Sequence, residues 1–226
     1  HEVMAIVPEH GPVEGYPFPV RSIVFNNGKN NSPELDFNFP CFTTHPESST
    51  TFYELTDTQL EAYLDAWRRA MRDAMEDFVP DVVHAQHVWL TAFVANELKL
   101  PYVATCHGTD LMGFKQGPRY REKTLIGARA AHRIIVISRQ VMADAIATYG
   151  VGEDQVSLIW NGFDADCFPP IAAATKEAVL SEFGLAGADK PLVSFVGKFA
   201  HFKGIDVLLK AASVYEKQIP GVQTLL

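Results

Sequence analysis

The chain has 226 residues, 47% of them hydrophobic and 20% charged, with a formal net charge of −8. Such a composition supports a sizeable core and excludes a disordered chain. The acidic balance argues against a protein whose partner is a nucleic-acid backbone or an anionic membrane, since both need a basic face, so any anion site has to be local.

The three cysteines, Cys41, Cys106 and Cys167, are far apart and odd in number. This favours reduced thiols over a disulfide framework and makes the cytoplasm the expected compartment. No apolar run approaches the roughly 20 residues of a membrane span, and nothing at the start reads as a signal peptide. "HEVMAIVP" and "IPGVQTLL" both read as pieces of longer elements, so both ends look cut.

In chain order, the first expected strand is "VMAIV" (3–7). Residues 8–55 are rich in Pro, Asn, Gly, Ser and Thr, with one short strand candidate, "VRSIVF". A long irregular segment of this kind reads either as a functional loop or as a flexible excursion. Then "TDTQLEAYLDAWRRAMRDAMEDF" combines a capping box at Thr56 and Gln59 with apolar Leu60, Tyr63, Leu64, Trp67, Met71, Met75 and Phe78 at spacings of three and four. That is an amphipathic helix of about six turns. Strands follow at "VVHAQ" (82–86), "YVATC" (102–106), "RIIVI" (133–137), "VSLIW" (156–160) and "LVSFVG" (192–197), separated by helices at 88–99, 118–131, 138–149 and 204–218. These strands are apolar on both faces, as in a parallel sheet buried under helices. The alternation predicts an open, doubly wound α/β sheet. "WNGFDADCFPP" carries an Asn-Gly turn and a Pro-Pro pair, and marks a boundary after which a second α/β unit begins.

In open α/β sheets ligands gather outside the carboxyl ends of the strands. Three clusters fall there: "HAQH" (84–87), "CHGTD" (106–110), and Ser138 as the N-cap of the helix after "RIIVI". Gly108 permits a tight turn or a close ligand approach. His107 then faces a crevice as donor or acceptor, with Asp110 capping or polarising. The plainer reading, a satisfied turn histidine followed by an N-cap aspartate, stays open. A metal set drawn from His84, His87, His107, Cys106 and Asp110 requires His87 to have left the strand, because residues i and i+3 point to opposite faces. We expect no metal, with His84 a buried, hydrogen-bonded core residue and Trp89 a packing residue. Cys106 has no cationic helper beyond His107 and is not expected to be a nucleophile.

In "VGKFAHFKGIDVLL" a strand ends in Gly197, a loop carries Lys198 and Lys203, and Gly204 opens a helix. This has the shape of an anion cradle built from backbone N–H groups, a helix N-terminus and two lysines. It has neither the P-loop spacing nor a dinucleotide fingerprint. A surface loop with two solvated lysines is the alternative.

"FVPDVVHAQHVW", "PYVATCHGTDL", "AAHRIIVIS", "VSLIWNGFD" and "VSFVGKFAHFKGIDVLLKAA", in this order and at these distances, resemble glycosyltransferase family 4 of the GT-B fold. The resemblance covers most of residues 78–220. It implies two facing Rossmann-like domains, here an N-terminal acceptor-side domain over 1–167 and the first part of a donor-binding domain over 168–226. It implies transfer of a sugar from a nucleotide sugar, UDP- or GDP-linked, to an acceptor hydroxyl with retention of configuration. No separate cofactor is implied, and the acceptor class (small molecule, lipid or growing glycan) is left open. By the same resemblance His107 falls on an active-site histidine, and Gly197, Lys198, Lys203 and Gly204 on the donor diphosphate site. Gly108, Thr109, Asp110 and Ser138 fall on the substrate side. Two positions depart from the family pattern: Lys198 stands where arginine is commoner, keeping the charge without the bidentate fork, and Trp160 stands where proline is usual. The family's first strand and glycine-rich loop are expected before His1, and its paired glutamates beyond Leu226. Two further readings remain, a non-catalytic relative of the same fold and a sugar-nucleotide epimerase.

Overall fold

A computed structural model describes residues 1–170, 173–185 and 191–226. The chain forms two compact units, His1–Asn161 and Gly162–Leu226. Among the described residues no helix is long and apolar enough to cross a membrane.

The first unit opens with two parallel strands, β1 (Ala5–Glu9) and β2 (Val20–Val24), in the register Ala5 to Val20. After a minimal parallel pair, β3 (Pro40–Cys41) and β4 (Thr50–Thr51), comes helix α1 (Asp57–Asp77). Its start is fixed by the capping box read from the sequence. Thr56 Oγ1 accepts the Gln59 N–H at 3.2 Å, and Gln59 Oε1 accepts the Thr56 N–H at 3.0 Å. Leu60, Tyr63, Leu64, Trp67, Ala70, Met71 and Ala74 form its buried face. The main sheet follows, four parallel strands in sequential order: β5 (Val83–Gln86), β6 (Tyr102–Cys106), β7 (Arg133–Val136) and β8 (Val156–Leu158). Helix α2 (Leu90–Glu97) connects β5 to β6, α3 (Thr109–Gln116) and α4 (Arg121–Ala130) connect β6 to β7, and α5 (Arg139–Tyr149) connects β7 to β8. The second unit contributes α6 (Ala173–Glu182), β9 (Leu192–Ser194), α7 (Ile205–Gln218) and β10 (Gln223–Leu225), with β9 and β10 parallel.

Register decides which side chains meet. Pairing of His84 with Val103, Gln86 with Thr105 and Thr105 with Ile135 puts Ala85, Tyr102, Ala104, Cys106, Ile134 and Val136 on one face, all of them buried. The other face carries His84, Gln86, Val103, Thr105, Arg133 and Ile135. The expectation of strands apolar on both faces therefore holds for one face of the sheet. His84 is correspondingly exposed rather than a core residue, although it is hydrogen-bonded, its Nε2 lying 2.7 Å from Thr105 Oγ1.

Residues 8–55, expected as a loop or an excursion, are a working part of the core. Ile23, Phe25, Leu35, Phe37, Phe39, Phe52 and Leu55 are all buried, and the Phe25 ring meets Phe37 and Phe39 edge-on. Asn30 pins the segment by donating from Nδ2 to the carbonyls of His10 and Phe25. Among the described residues β1 pairs only with β2, and β5 only with β6. Both strands border a channel of about 1300 Å³, floored by α1 residues such as Trp67, Met71 and Met75.

Helices α2 and α4 approach most closely at Gly127, where a Cβ would lie 2.8 Å from the Phe93 backbone nitrogen and 3.0 Å from the Ala92 carbonyl carbon. The Gly127 carbonyl also accepts the Tyr102 hydroxyl at 2.6 Å. Gly127→Ala forces the helices apart and is expected to destabilise the chain by about 2 kcal/mol. Urea unfolding followed by circular dichroism measures this, and an unchanged midpoint would refute the packing argument.

Candidate functional site

The carboxyl ends of β5, β6 and β7 deliver His87, His107 and Ser138 to one rim of the sheet. There the chain twice adopts a left-handed backbone, at Gly108 (φ +92°) and at His87 (φ +77°). Glycine takes that conformation freely, whereas for histidine it costs about 1–3 kcal/mol. The stabilisation comes from Asp110, in the first turn of α3. Its side chain has no exposed surface. One carboxylate oxygen accepts the N–H groups of Gly108 at 2.9 Å and Leu111 at 3.2 Å, and the other accepts the Val88 N–H at 3.0 Å. One buried charge thus ties the loop after β5 to the loop after β6.

Asp110, expected on the substrate side, is therefore interior, with its oxygens committed to backbone. Helix α3 itself was not among the expected helices. It has eight residues, an internal Gly113 and a terminal Gly117, and no long apolar period. Gly113 is there for space: a Cβ would meet the Phe42 ring at 2.6 Å. Cys106 is fully buried and donates its thiol to Asp110 at 3.4 Å. Burial and the adjacent Asp110 charge push its pKa far above the usual thiol range, so it is not a nucleophile at neutral pH. Among the described residues no three His, Cys, Asp or Glu side chains form a metal-ligand set.

His107 is half-buried, with Nε2 2.9 Å from Gln86 Oε1. Its ring meets His87 edge-on at 5.0 Å, and His87 in turn packs against Phe42 at the same centroid distance. His87 Nδ1 is buried and has no hydrogen-bond partner among the described residues. Thr109 is the first residue of α3. Ser138 caps α5 as expected, its Oγ accepting the Val141 N–H at 3.1 Å. Gly108 brings these pieces together, since a Cβ there would touch Val141 at 3.7 Å. Gln86 was not singled out in the sequence. The signal for it was available, because strand alternation puts residues 84 and 86 on one face.

In the second unit β9 stops at Ser194, short of the expected Gly197, and a loop carrying Gly197 and Lys198 runs into a 3-10 turn, His201–Lys203. Gly204 (φ +73°) then opens α7, a 14-residue helix. A Cβ on Gly204 would meet no atom within 4 Å, so the space over the helix start is open. Lys203 Nζ lies 5.7 Å from the Phe202 ring centroid. Asp206, in the first turn of α7, pairs with His201 at 3.3 Å.

Residues 1–166 match the model of glycosyltransferase family 4. The chain belongs to this family. Alpha-maltose-1-phosphate synthase of Mycolicibacterium smegmatis is 30% identical over 159 residues, a match covering 64% of this chain and 39% of that protein. D-inositol 3-phosphate glycosyltransferase of Mycobacteroides abscessus is 31% identical over 160 residues, covering 65% and 34%. The chain thus spans well under half the length of these relatives. Among solved structures, sucrose-phosphate synthase from Thermosynechococcus elongatus aligns over 100% of this chain and 62% of its own, at 20% identity and a TM-score of 0.60. HepE of Anabaena in complex with UDP aligns over 98% and 60%, at 15% identity and a TM-score of 0.61. These place the family 4 chain in the GT-B, Rossmann-like fold class.

Two predictions follow from the rim. Asp110→Ala strands three buried N–H groups and should destabilise the first unit by about 3 kcal/mol. The same change should make Cys106 reactive to a thiol reagent in native buffer, where the unsubstituted chain protects it; equal labelling rates would contradict the carboxylate's role. Desolvation, with the neighbouring His107, holds His87 and His84 below the ordinary imidazole pKa. The unfolded chain then binds more protons below about pH 6.5, so stability falls as pH drops from 7 toward 5. His87→Asn, which tolerates the left-handed backbone, should flatten that fall in denaturant titrations at the two pH values.

Proposed function

We propose that the chain is the acceptor-side domain and the beginning of the donor-side domain of a glycosyltransferase that moves a sugar from a nucleotide sugar to an acceptor hydroxyl with retention of configuration. The observation that carries the reading is the placement of His107. It stands at the carboxyl end of a central parallel strand, on a turn locked by a buried carboxylate, with its ring held by Gln86 and still partly open. A side chain that only packs has no need of such fixing. The HepE structures in complex with UDP and UDP-glucose support a nucleotide sugar as donor.

In this reading the bond between the anomeric carbon and the departing phosphate oxygen breaks as a bond to the acceptor oxygen forms, and the proton of the acceptor hydroxyl passes to the departing phosphate. Negative charge grows on the leaving diphosphate. Lys198, Lys203 and the N–H groups that open α7 after Gly204 stabilise it electrostatically, without proton transfer. Gly197 lets the preceding loop approach the phosphates. His107 orients the donor sugar, Gly108 and Thr109 shape the turn beside it, and Ser138 sits on the neighbouring loop. The carboxylate of Asp110 plays no part as nucleophile, because its lone pairs are taken by backbone.

The test is calorimetry and transfer assays on the natural full-length polypeptide with UDP, GDP and their sugar conjugates. Saturable binding of one nucleotide is expected, weakened at least tenfold by Lys203→Ala. His107→Ala should lower kcat about 10²-fold while nucleotide affinity is kept. A folded protein that binds no nucleotide would instead be a non-catalytic relative. Conversion of the donor sugar without any acceptor would make the protein an epimerase.

A further inference from the structure

Two histidine rings stand side by side at the rim, and only His107 has a place in the reaction proposed above. The other, His87, has features that packing alone does not explain. Its backbone lies at φ +77°, a conformation that strains a non-glycine residue by about 1–3 kcal/mol and that glycine or asparagine adopts more readily. Its ring is wedged between Phe42 and His107, each at a centroid distance of 5.0 Å, and the next residue is pinned where the Val88 N–H meets Asp110. Of its two ring nitrogens only Nδ1 is enclosed, and Nδ1 has no hydrogen-bond partner among the described residues. The residue also borders the open channel.

The enclosed nitrogen sets the tautomer. Orphaned buried N–H groups are rarer in proteins than under-satisfied acceptors, so Nδ1 of His87 is the bare nitrogen and Nε2 carries the hydrogen. A second proton would add an N–H on the enclosed side, and desolvation accordingly holds the ring below the ordinary imidazole pKa against the opposing pull of Asp110. His107 has the complementary arrangement. Its Nε2 lies 2.9 Å from Gln86 Oε1, and an amide oxygen only accepts, so in the neutral ring Nε2 bears the hydrogen and Nδ1 is bare. An N–H donor thus stands beside a bare nitrogen acceptor, with ring centroids closer than two hydrogen-bond lengths of about 2.9 Å each. Such a pair matches a hydroxyl, which donates and accepts at once. An ionised phosphate oxygen does not fit it, having no hydrogen for the bare nitrogen. We propose that His87 is a second substrate-contacting residue, its Nε2–H donating to the same hydroxyl of the transferred sugar that donates to His107 Nδ1. The proposal rests on the reading of His107 as the residue that orients the donor sugar. The strained backbone then has a function, which is to hold an imidazole rather than an asparagine at this point of the rim.

Two measurements test it. Long-range proton–nitrogen NMR on the full 226-residue chain labelled with ¹⁵N-histidine, with His87→Asn to identify the signal, should show the Nε2–H pattern for His87 at pH 7.5. An Nδ1–H pattern would overturn the proposal. The second measurement uses the natural full-length polypeptide, the nucleotide sugar it binds, and a series of analogues each lacking one hydroxyl of the sugar. His87→Asn tolerates the left-handed backbone but is too short to replace the ring. It should lower kcat/KM about tenfold with the parent donor and with every analogue but one. With that one analogue the substitution should have no further effect, because the hydroxyl it served is already gone. His107→Ala should show its smallest effect with the same analogue. His87→Gly, which relieves the backbone, is the second variant should asparagine perturb the loop. Equal losses across the whole series would make His87 structural, and no loss with the parent donor would make it a bystander. Either result overturns the assignment of His87 and leaves the role of His107 standing. A folded full-length protein that binds no nucleotide sugar overturns the functional reading and this proposal with it, so the binding measurement tells the two failures apart.

Discussion

A carboxylate with no exposed surface would ordinarily be a liability, because removing a charge from water costs several kcal/mol unless its lone pairs are filled. Asp110 fills them with backbone: the N–H groups of Val88, Gly108 and Leu111, with the Cys106 thiol alongside. Hydrogen bonds to a charged acceptor are among the stronger ones a protein makes, and here they converge from two loops and a helix start. Everything distinctive about the rim depends on that convergence. The unfavourable left-handed turn at His87 is followed at once by the Val88 N–H that Asp110 accepts. The turn at Gly108 contributes another, and the first turn of α3 is anchored in the core. His107 emerges from this knot, and its orientation is inherited from it.

The second unit uses a different device. The loop from Gly197 to Gly204 is shaped by its backbone. A 3-10 turn and a left-handed glycine leave the first N–H groups of a 14-residue helix without intrahelical partners. The first unit's rim is thus fixed by a buried side chain, whereas the second unit's loop is shaped by its backbone.

The strand-helix alternation was legible because the elements from β5 onward, α3 apart, have their own apolar period and punctuation. The capping box at Thr56 and Gln59 fixed the start of α1 to the residue. Helix α3 was hidden because its residues are chosen for clearance against Phe42 and for the Asp110 knot rather than for amphipathicity. The strand β8 ends at Leu158 rather than at Trp160, and Ile159 and Trp160 are exposed although the Ile159 N–H still donates to the Val136 carbonyl. "LDFNFP" in the segment 8–55 carried a period-two signal, Leu35, Phe37 and Phe39, that the surrounding Asn and Pro concealed. The motif "HGTD" marked a turn at the strand end, and its aspartate was read either as a helix cap or as a substrate-side residue. Burial of a carboxylate depends on N–H groups brought from residue 88, and no local pattern announces that.

Strands β1 and β5 each present one unpaired edge to the same apolar-lined channel. Among the described residues those edges have no strand partner beside Trp67, Met71 and Met75, the kind of edge along which an extended segment can align. A net charge of −8 keeps copies apart through long-range repulsion, and that repulsion weakens as salt shortens the screening distance. Ionic strength weakens that repulsion and leaves the buried Asp110 knot nearly untouched.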